Sequence, residues 1–481
     1  MNPGVASTRP DPTRRFRWLG GGLALVLLAF ALGRSVAGLD RLAMIGWAIG
    51  ALALVVGLDL PGALGAILVV ALLVVGLKRF LPALDAGPLG VLLDALLVLA
   101  GLQGALTCQL HRAWRALNSS LSVPVSVFVG ALLLEALNPL APSMAFGLWG
   151  SRDTLRWLGF PLALLALRSG RALRGLCGGV MLALAAESLY GIFQHHHGLH
   201  PREMQWMFDS GSVRTHLIDG HVRVFGTVGD AATFGFLAAI GVWWSIGLAT
   251  RLGGAWRPGL VAIALVHGYA MLLSYSRGPV AATLAGLVAM VAASRRPWPG
   301  LLAMGMAGGG LGLASLSGEI PLLSRALTAV RPQEDASFLV RMGYLQDAWG
   351  RIVQRPFGSG LWTAGASGFA ITGGRTLPGT TIGMPTDNNY FKWALEIGWV
   401  GVFLFLWVEV AALVTAWQAA RTLHDPFCGG LALALVGTVA GLMVGAVSND
   451  IFVQKPIAEF YPVALGLVAL LSRAREERRP A

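Results

Sequence analysis

The sequence predicts an all-α, polytopic membrane protein, and three observations carry that prediction. Mean hydropathy is +0.67 over 481 residues. Only 12% of residues are charged, against 55% hydrophobic, which a single soluble core of this length does not need. Apolar runs of near-spanning length follow one another from end to end, at about 19–38, 42–58, 61–77, 88–106, 122–140, 155–169, 175–194, 228–250, 258–276, 279–294, 297–316, 397–419, 428–447 and 457–472. A helix crosses the bilayer core with about 20 apolar residues, so the count is about 12–14 transmembrane helices. The first run follows RRFRWLGGG and ends near Ser35-Val36-Ala37. It has the regions of a signal peptide, but the further apolar runs close behind favour an uncleaved first span.

The formal net charge of +12 does not indicate nucleic acid. The basic residues are scattered between apolar runs rather than gathered with aromatic residues in one polar domain. They serve instead as topology signals. Arg14, Arg15 and Arg17, Arg112 and Arg115, Arg168, Arg171 and Arg174, Arg251 and Arg257, Arg295 and Arg296, and the tail from Arg473 to Arg479 fall on one side when the chain is threaded alternately. That side is the cytoplasm. Lys78 and Arg79 violate the rule. Cys108, Cys177 and Cys428 lie in or beside apolar runs and form no disulfide framework; they are small packing residues.

The threading leaves two long outward segments, 195–227 and 317–396, both rich in arginine where the rule should deplete it. The first carries Arg202, Arg214 and Arg223 with six histidines; the second carries Arg325, Arg331, Arg341, Arg351, Arg355 and Arg375. Basic residues kept there point to an anionic ligand on the outer face, with Asp347 and Glu396 available to neutralise some of them. Phe338, Met342, Leu345, Trp349 and Ile352 recur at steps of four and three, while Arg341, Asp347, Arg351 and Arg355 fall elsewhere around the helix. This predicts an amphipathic helix on the membrane surface, stopped by Pro356. The glycine-rich GSGLWTAGASGFAITGGRTLPGT that follows reads as a mobile flap.

In LLSYSRGPVAATLAGL, Arg277 sits between two runs that both belong in lipid. An arginine at the bilayer centre costs roughly 2.5 to 3.5 kcal/mol on insertion scales, so this one marks a boundary or has a partner. The threading puts it at the outer end of the 258–276 helix, before a turn with Gly278 and Pro279. Arg223, in HVRVFGTVGDAATFGF, arrives at the outer start of the 228–250 helix. Two arginines there make a doubly cationic site for a phosphate-containing headgroup, which guanidinium binds bidentately and lysine does not. Helix capping or snorkelling to a lipid phosphate is the plainer alternative.

Four segments occur in a telling order: RVFGTVGDAATF at 223–234, SYSRGPVAATLAGL at 274–287, RMGYLQDAWGRIVQRPFGSG at 341–360 and DNNYFKWALEIGWVGV at 387–402. This arrangement resembles the O-antigen ligase and polymerase superfamily of bacterial envelope glycosyltransferases. The resemblance implies a helical bundle of the membrane glycosyltransferase C type in the bacterial inner membrane, with its active site facing the periplasm under the 317–396 segment. It implies a glycan on undecaprenyl diphosphate as donor, Arg223 and Arg277 as ligands of the diphosphate, and Asp387 as the base that activates the acceptor hydroxyl. Ser276, Arg341, Asn388 and Tyr390 become further candidates for substrate binding. The family's ligases usually carry histidine at the position of Asp387 and its exopolysaccharide polymerases often aspartate. With no histidine between His267 and His424, a polymerase is favoured over a ligase that uses lipid A-core as acceptor. Membrane lipids and other envelope-assembly proteins are the expected neighbours. The chain then divides into 1–222, a core at 223–402, and 403–481.

The chemistry is self-consistent without a cofactor. No Asp-X-Asp element for a metal-bound nucleotide is present, and two arginines can stabilise a departing diphosphate with inversion at the anomeric carbon. The run His195, His196, His197 and His200 is a weak metal candidate, since adjacent imidazoles cannot all aim at one ion. Asp94, Glu135 and Glu187 fall within predicted spans, where ionisable residues are functional by default. They suit a rival class, a proton-coupled flippase for lipid-linked oligosaccharides, unless they pair with arginines of neighbouring helices. A noncatalytic scaffold, the third class, should tolerate loss of Arg277.

Overall fold

The computed structural model describes residues 58–80, 88–107, 117–218, 221–294, 336–365, 367–368 and 381–476. The expected spans at 19–38 and 297–316, nearly all of 42–58, Cys108, and Arg325, Arg331 and Arg375 lie outside the described residues. Helices α1 (Leu60–Phe80), α2 (Pro88–Thr107) and α3 (Ser122–Glu135) come first. Then α4 (Met144–Leu155) continues through a 3-10 turn (Arg156–Leu158) into α5 (Gly159–Ala166), followed by α6 (Gly170–His197), α7 (Pro201–Asp209) and α8 (Val213–His216). Two-residue strands, β1 (Leu217–Ile218) and β2 (His221–Val222), pair antiparallel. The rest comprises α9 (Ala231–Arg251), α10 (Trp256–Leu273), α11 (Arg277–Ala293), α12 (Ala336–Gln354), α13 (Asn389–Thr422), α14 (Pro426–Gly445), a 3-10 turn (Ile451–Val453) and α15 (Ile457–Glu476).

The all-α polytopic class holds. Among the described residues α6, α9, α10, α13, α14 and α15 are long and apolar enough to cross a membrane, and shorter apolar stretches occur in α1, α2, α3 and α11. The run expected at 155–169 is the second part of a longer rod, α4 through α5. Arg152, Asp153 and Arg156 hide its first part from hydropathy.

Helix α9 is the axis of the bundle, apolar on every side and buried along nearly its whole length against α10, α11 and α14. An indole N–H in such a core needs an acceptor. Trp243 Nε1 donates to the Thr283 carbonyl at 3.2 Å, and Trp244 Nε1 to Thr438 Oγ1 at 3.2 Å.

Helix α13 is broken at Gly398, whose φ of 68° and ψ of −173° only glycine adopts freely. The loop after α12 fills the break. Ser359 N–H donates to the Leu395 carbonyl at 2.9 Å, Gly360 N–H to the Glu396 carbonyl at 3.0 Å, and Trp399 N–H to the Pro356 carbonyl at 3.0 Å. The break therefore leaves these backbone groups paired. The described first part of the stretch expected as a mobile flap is packed instead: residues 358–365 are almost wholly buried, Gly365 N–H bonds the Met384 carbonyl at 2.8 Å, and Ala364 bridges Met384. Glycine serves close packing here, and residues 369–380 lie outside the described residues.

Candidate functional site

The N-terminal end of α11 is the cationic pole. Arg277 is the first residue of that helix, half-buried, after a turn in which Tyr275 takes a φ of 47°. The expected turn at Gly278 and Pro279 thus lies one step earlier, at 274–276, because proline is tolerated in the first helical turn, where N–H groups lack intrahelical acceptors. The helix N-terminus and the guanidinium both favour an anion at this point. Arg223 reaches the same turn from the segment before α9. Its Nε donates to the Ser274 carbonyl at 3.1 Å, Nη1 to the Thr215 carbonyl at 3.0 Å, and Nη2 to Ser276 Oγ. Arg223 is thereby a brace for the turn that presents Arg277, and Ser276 is one of its acceptors.

The segment carrying Arg223 is held from below. Glu187 of α6 accepts from Thr227 N–H at 2.7 Å and from Thr227 Oγ1 at 2.8 Å, while Gln194 exchanges two bonds with Gly226. Arg79, the apparent violator of the positive-inside rule, is a buried structural residue. It donates to the Gly226 carbonyl at 3.0 Å with its guanidinium over the rings of Trp206 at 4.1 Å and Phe225 at 4.4 Å. His216 packs on Phe225 as well, its ring centroid 4.7 Å away. Burial, reinforced by Arg79 and Arg223, lowers its pKa below the ordinary histidine value.

The carboxylate pole is Asp387, immediately before α13. Its backbone takes a φ of 40°, its side chain is 52% exposed, and Arg341 Nε of α12 lies 3.3 Å from Oδ2. The N-cap is Asn388, whose side chain accepts from Tyr390 N–H at 3.0 Å and Phe391 N–H at 3.1 Å, so Asp387 is not the capping residue. The rings of Tyr390, Phe391 and Trp393 do not dry Asp387, because α13 turns them to other neighbours. Tyr390 OH donates to Glu409 Oε2 at 2.9 Å and the Met443 carbonyl at 3.0 Å, Phe391 packs toward Trp349 and Trp393 on Phe405. Of the expected substrate contacts, Asn388 uses its Oδ1 to cap α13, and Tyr390 bonds its hydroxyl within the protein.

Beneath this pole lies a charged cluster that the sequence reasoning missed. Lys392 and Glu396, i and i+4 on α13, are almost fully buried and ion-paired. Both hold the loop after α12: Lys392 Nζ donates to the Ala364 carbonyl at 3.2 Å, and Ala364 N–H to Glu396 Oε1 at 3.2 Å. Asp153 accepts from Trp362 Nε1 at 2.7 Å and from Arg156 at 2.6 Å. The available signal was the set of charges inside or bordering apolar runs.

The remaining candidates have structural partners. Asp94 accepts from Arg152 Nε at 2.9 Å, the arginine pairing anticipated for it; Glu135 accepts from Asn138. His200 caps α7, its Nδ1 accepting from Arg202 N–H at 3.2 Å, and His196 lies 3.2 Å from Tyr269 OH. Among the described residues no three His, Cys, Asp or Glu side chains group as metal ligands.

Residues 260–406 match the family described as "Wzy_C: O-Antigen ligase". The chain has no match among the curated proteins. Among solved structures it is similar to a chain from "Structural coordination of polymerization and crosslinking by a peptidoglycan synthase complex", at 18% identity and a TM-score of 0.38, covering 75% of this chain and 98% of that one.

Proposed function

We propose that this chain, whose residues 260–406 are those of the O-antigen ligase and polymerase superfamily, is a polymerase of undecaprenyl-diphosphate-linked oligosaccharides, working on the periplasmic face of the bacterial inner membrane. The observation that carries this reading is that Arg277 at the N-terminus of α11 and Asp387 before α13 flank one loop: Gly278 lies against Ser448 and Asn449, and Asn389 bonds Ala446 and Phe452. An acceptor sugar hydroxyl attacks the anomeric carbon of the donor, Asp387 takes its proton, and the bond from that carbon to the diphosphate oxygen breaks. The diphosphate leaves with the electron pair and is stabilised by Arg277, held in place by Arg223. Attack opposite the leaving group inverts the anomeric carbon. The core is 223–402, completed by the outer turn before α15, with 1–222 and the rest of 403–481 enclosing it in the membrane.

The test is reconstitution in proteoliposomes with purified lipid-linked oligosaccharide. Chain growth with release of undecaprenyl diphosphate, undiminished in excess chelator, is the expected result. Transfer to lipid A-core instead of a growing glycan would make the chain a ligase, and movement of intact donor across the bilayer without bond cleavage would make it a flippase.

A further inference from the structure

The two poles are joined by one loop, residues 446–454, between α14 and α15. Asn389 N–H, at the start of α13, donates to the Ala446 carbonyl at 2.8 Å, and the Asn389 side chain accepts from Phe452 N–H at 3.0 Å. Thr386 Oγ1, one residue before Asp387, donates to both oxygens of Asp450 at 2.9 and 2.8 Å. At the other pole, a Cβ on Gly278 would lie 2.5 Å from Ser448 Oγ and 2.9 Å from Asn449 Nδ2, so α11 begins in close contact with these side chains. Gln454 meets Thr233 at the start of α9, and Arg156 Nη1 lies 3.4 and 3.3 Å from the carbonyls of Phe452 and Val453. The loop is pinned on every side, while Ser448 and Asn449 remain half-exposed between Gly278 and the Thr386–Asn389 segment.

We propose that Ser448 and Asn449 bind the sugar ring that is being transferred and contribute to the choice of sugar. This rests on the transferase reading above. In an inverting displacement the acceptor and the leaving diphosphate approach the anomeric carbon from opposite faces, so the ring being transferred lies between the base and the cation. A sugar ring presents neutral hydroxyls, and a hydroxyl beside a carboxamide matches them with donors and acceptors without adding charge. Asn449 Nδ2 donates to Ser448 Oγ at 3.2 Å and Ser448 Oγ donates to the Gly445 carbonyl at 3.1 Å, so Ser448 meets the sugar as an acceptor while the Asn449 carboxamide supplies the donor and a second acceptor. Asp450, buried and bonded to Thr386, is a positioning residue for the Asp387 backbone rather than a ligand.

The test compares two probes on the full-length protein in nanodiscs: bare undecaprenyl diphosphate, and the same lipid carrying the oligosaccharide extracted from a polymerase-deficient strain. Asn449→Ala and Ser448→Ala are each expected to weaken binding of the glycan-bearing lipid by about three- to tenfold, the size of one neutral hydrogen bond. Affinity for the bare lipid and thermal stability should stay at wild-type values. Asn449→Asp, which keeps the shape but loses the donor, should show the same sugar-dependent loss. Equal loss for both lipids, or no loss for either, overturns the assignment. Failure of the wild-type protein to bind either lipid removes the transferase reading itself, and this proposal with it.

Discussion

Arg223 Nε donates to the backbone carbonyl of Ser274 at 3.1 Å, although 51 residues separate them. This contact divides the labour between the two arginines. Arg223→Lys retains charge but cannot keep three donors on Ser274, Thr215 and Ser276. It is expected to lower stability by about 1 to 3 kcal/mol, as loss of charge-assisted hydrogen bonds does, and to lower transfer with it. Arg277→Lys probes diphosphate binding: transfer per folded molecule should fall at least tenfold, on the order of 1.4 kcal/mol of transition-state stabilisation. Full activity of Arg277→Lys in proteoliposomes would remove the arginine from the mechanism.

Asp387→Asn separates chemistry from backbone. Asn388 holds the helix cap, and asparagine tolerates a φ of 40° better than most residues. The exposed pairing with Arg341 contributes little stability. The variant should therefore melt like the wild type, bind lipid-linked glycan and be nearly inactive. Asp387→His should restore some transfer with a shifted pH profile. Wild-type turnover by the Asn variant would dismiss Asp387 as the base and weaken the case for a polymerase.

Asp94 and Arg152 distinguish an enzyme from a proton-coupled transporter. Their pairing joins α2 to α4, so Asp94→Ala takes the carboxylate away from a partly buried guanidinium. The expected cost is about 1 to 3 kcal/mol, below that of a fully buried pair because both side chains are partly exposed. Asp94→Ala combined with Arg152→Met should regain stability and transfer activity, measured by melting and product formation. A double variant that melts like the wild type and is nevertheless inactive would restore a proton-carrying role for Asp94.

His216 gives the segment around Arg223 a pH dependence. Its folded pKa is depressed by burial and further by Arg79 and Arg223, against the opposing hydrogen bond to the Ser212 carbonyl and the charge of Asp230, so the folded state binds fewer protons than the unfolded state. Its contribution to stability is complete above about pH 6.5, the ordinary histidine value, and is lost as pH falls through the depressed folded value. Trp206, whose ring centroid lies 5.7 Å from that of His216, should report loosening by fluorescence on acidification. His216→Gln should flatten this response; an unchanged acid limb would assign it to other groups.

Gly278→Ala tests the contact between α11 and the loop before α15. A Cβ there meets two polar side chains inside normal contact distance, so one of them must move. Transfer is expected to fall by about tenfold, from misplacement near the reacting groups, with little change in protein level. Unimpaired transfer would show that the contact yields without consequence.

What the sequence by itself determined follows from local chemistry: spans from hydropathy, and α12 from its three-four repeat. The stop at Pro356 and the segments around Arg223, Arg277 and Asp387 were equally legible. What only the tertiary structure decided depends on partners far apart in the chain. Hydropathy could not find α4, because Arg152, Asp153 and Arg156 look like a loop until Asp94, Trp362 and the 452–453 carbonyls supply their partners. Composition could not tell a flap from a packed plug, because the glycines after α12 fill the break at Gly398. Nor could spacing assign roles to Ser448, Asn449 and Asp450, whose position between Gly278 and Thr386 exists only once α11, α13 and α14 are packed together. Hydrophobicity is a property of a segment, whereas satisfaction of buried charges and backbone groups is a property of the assembled fold.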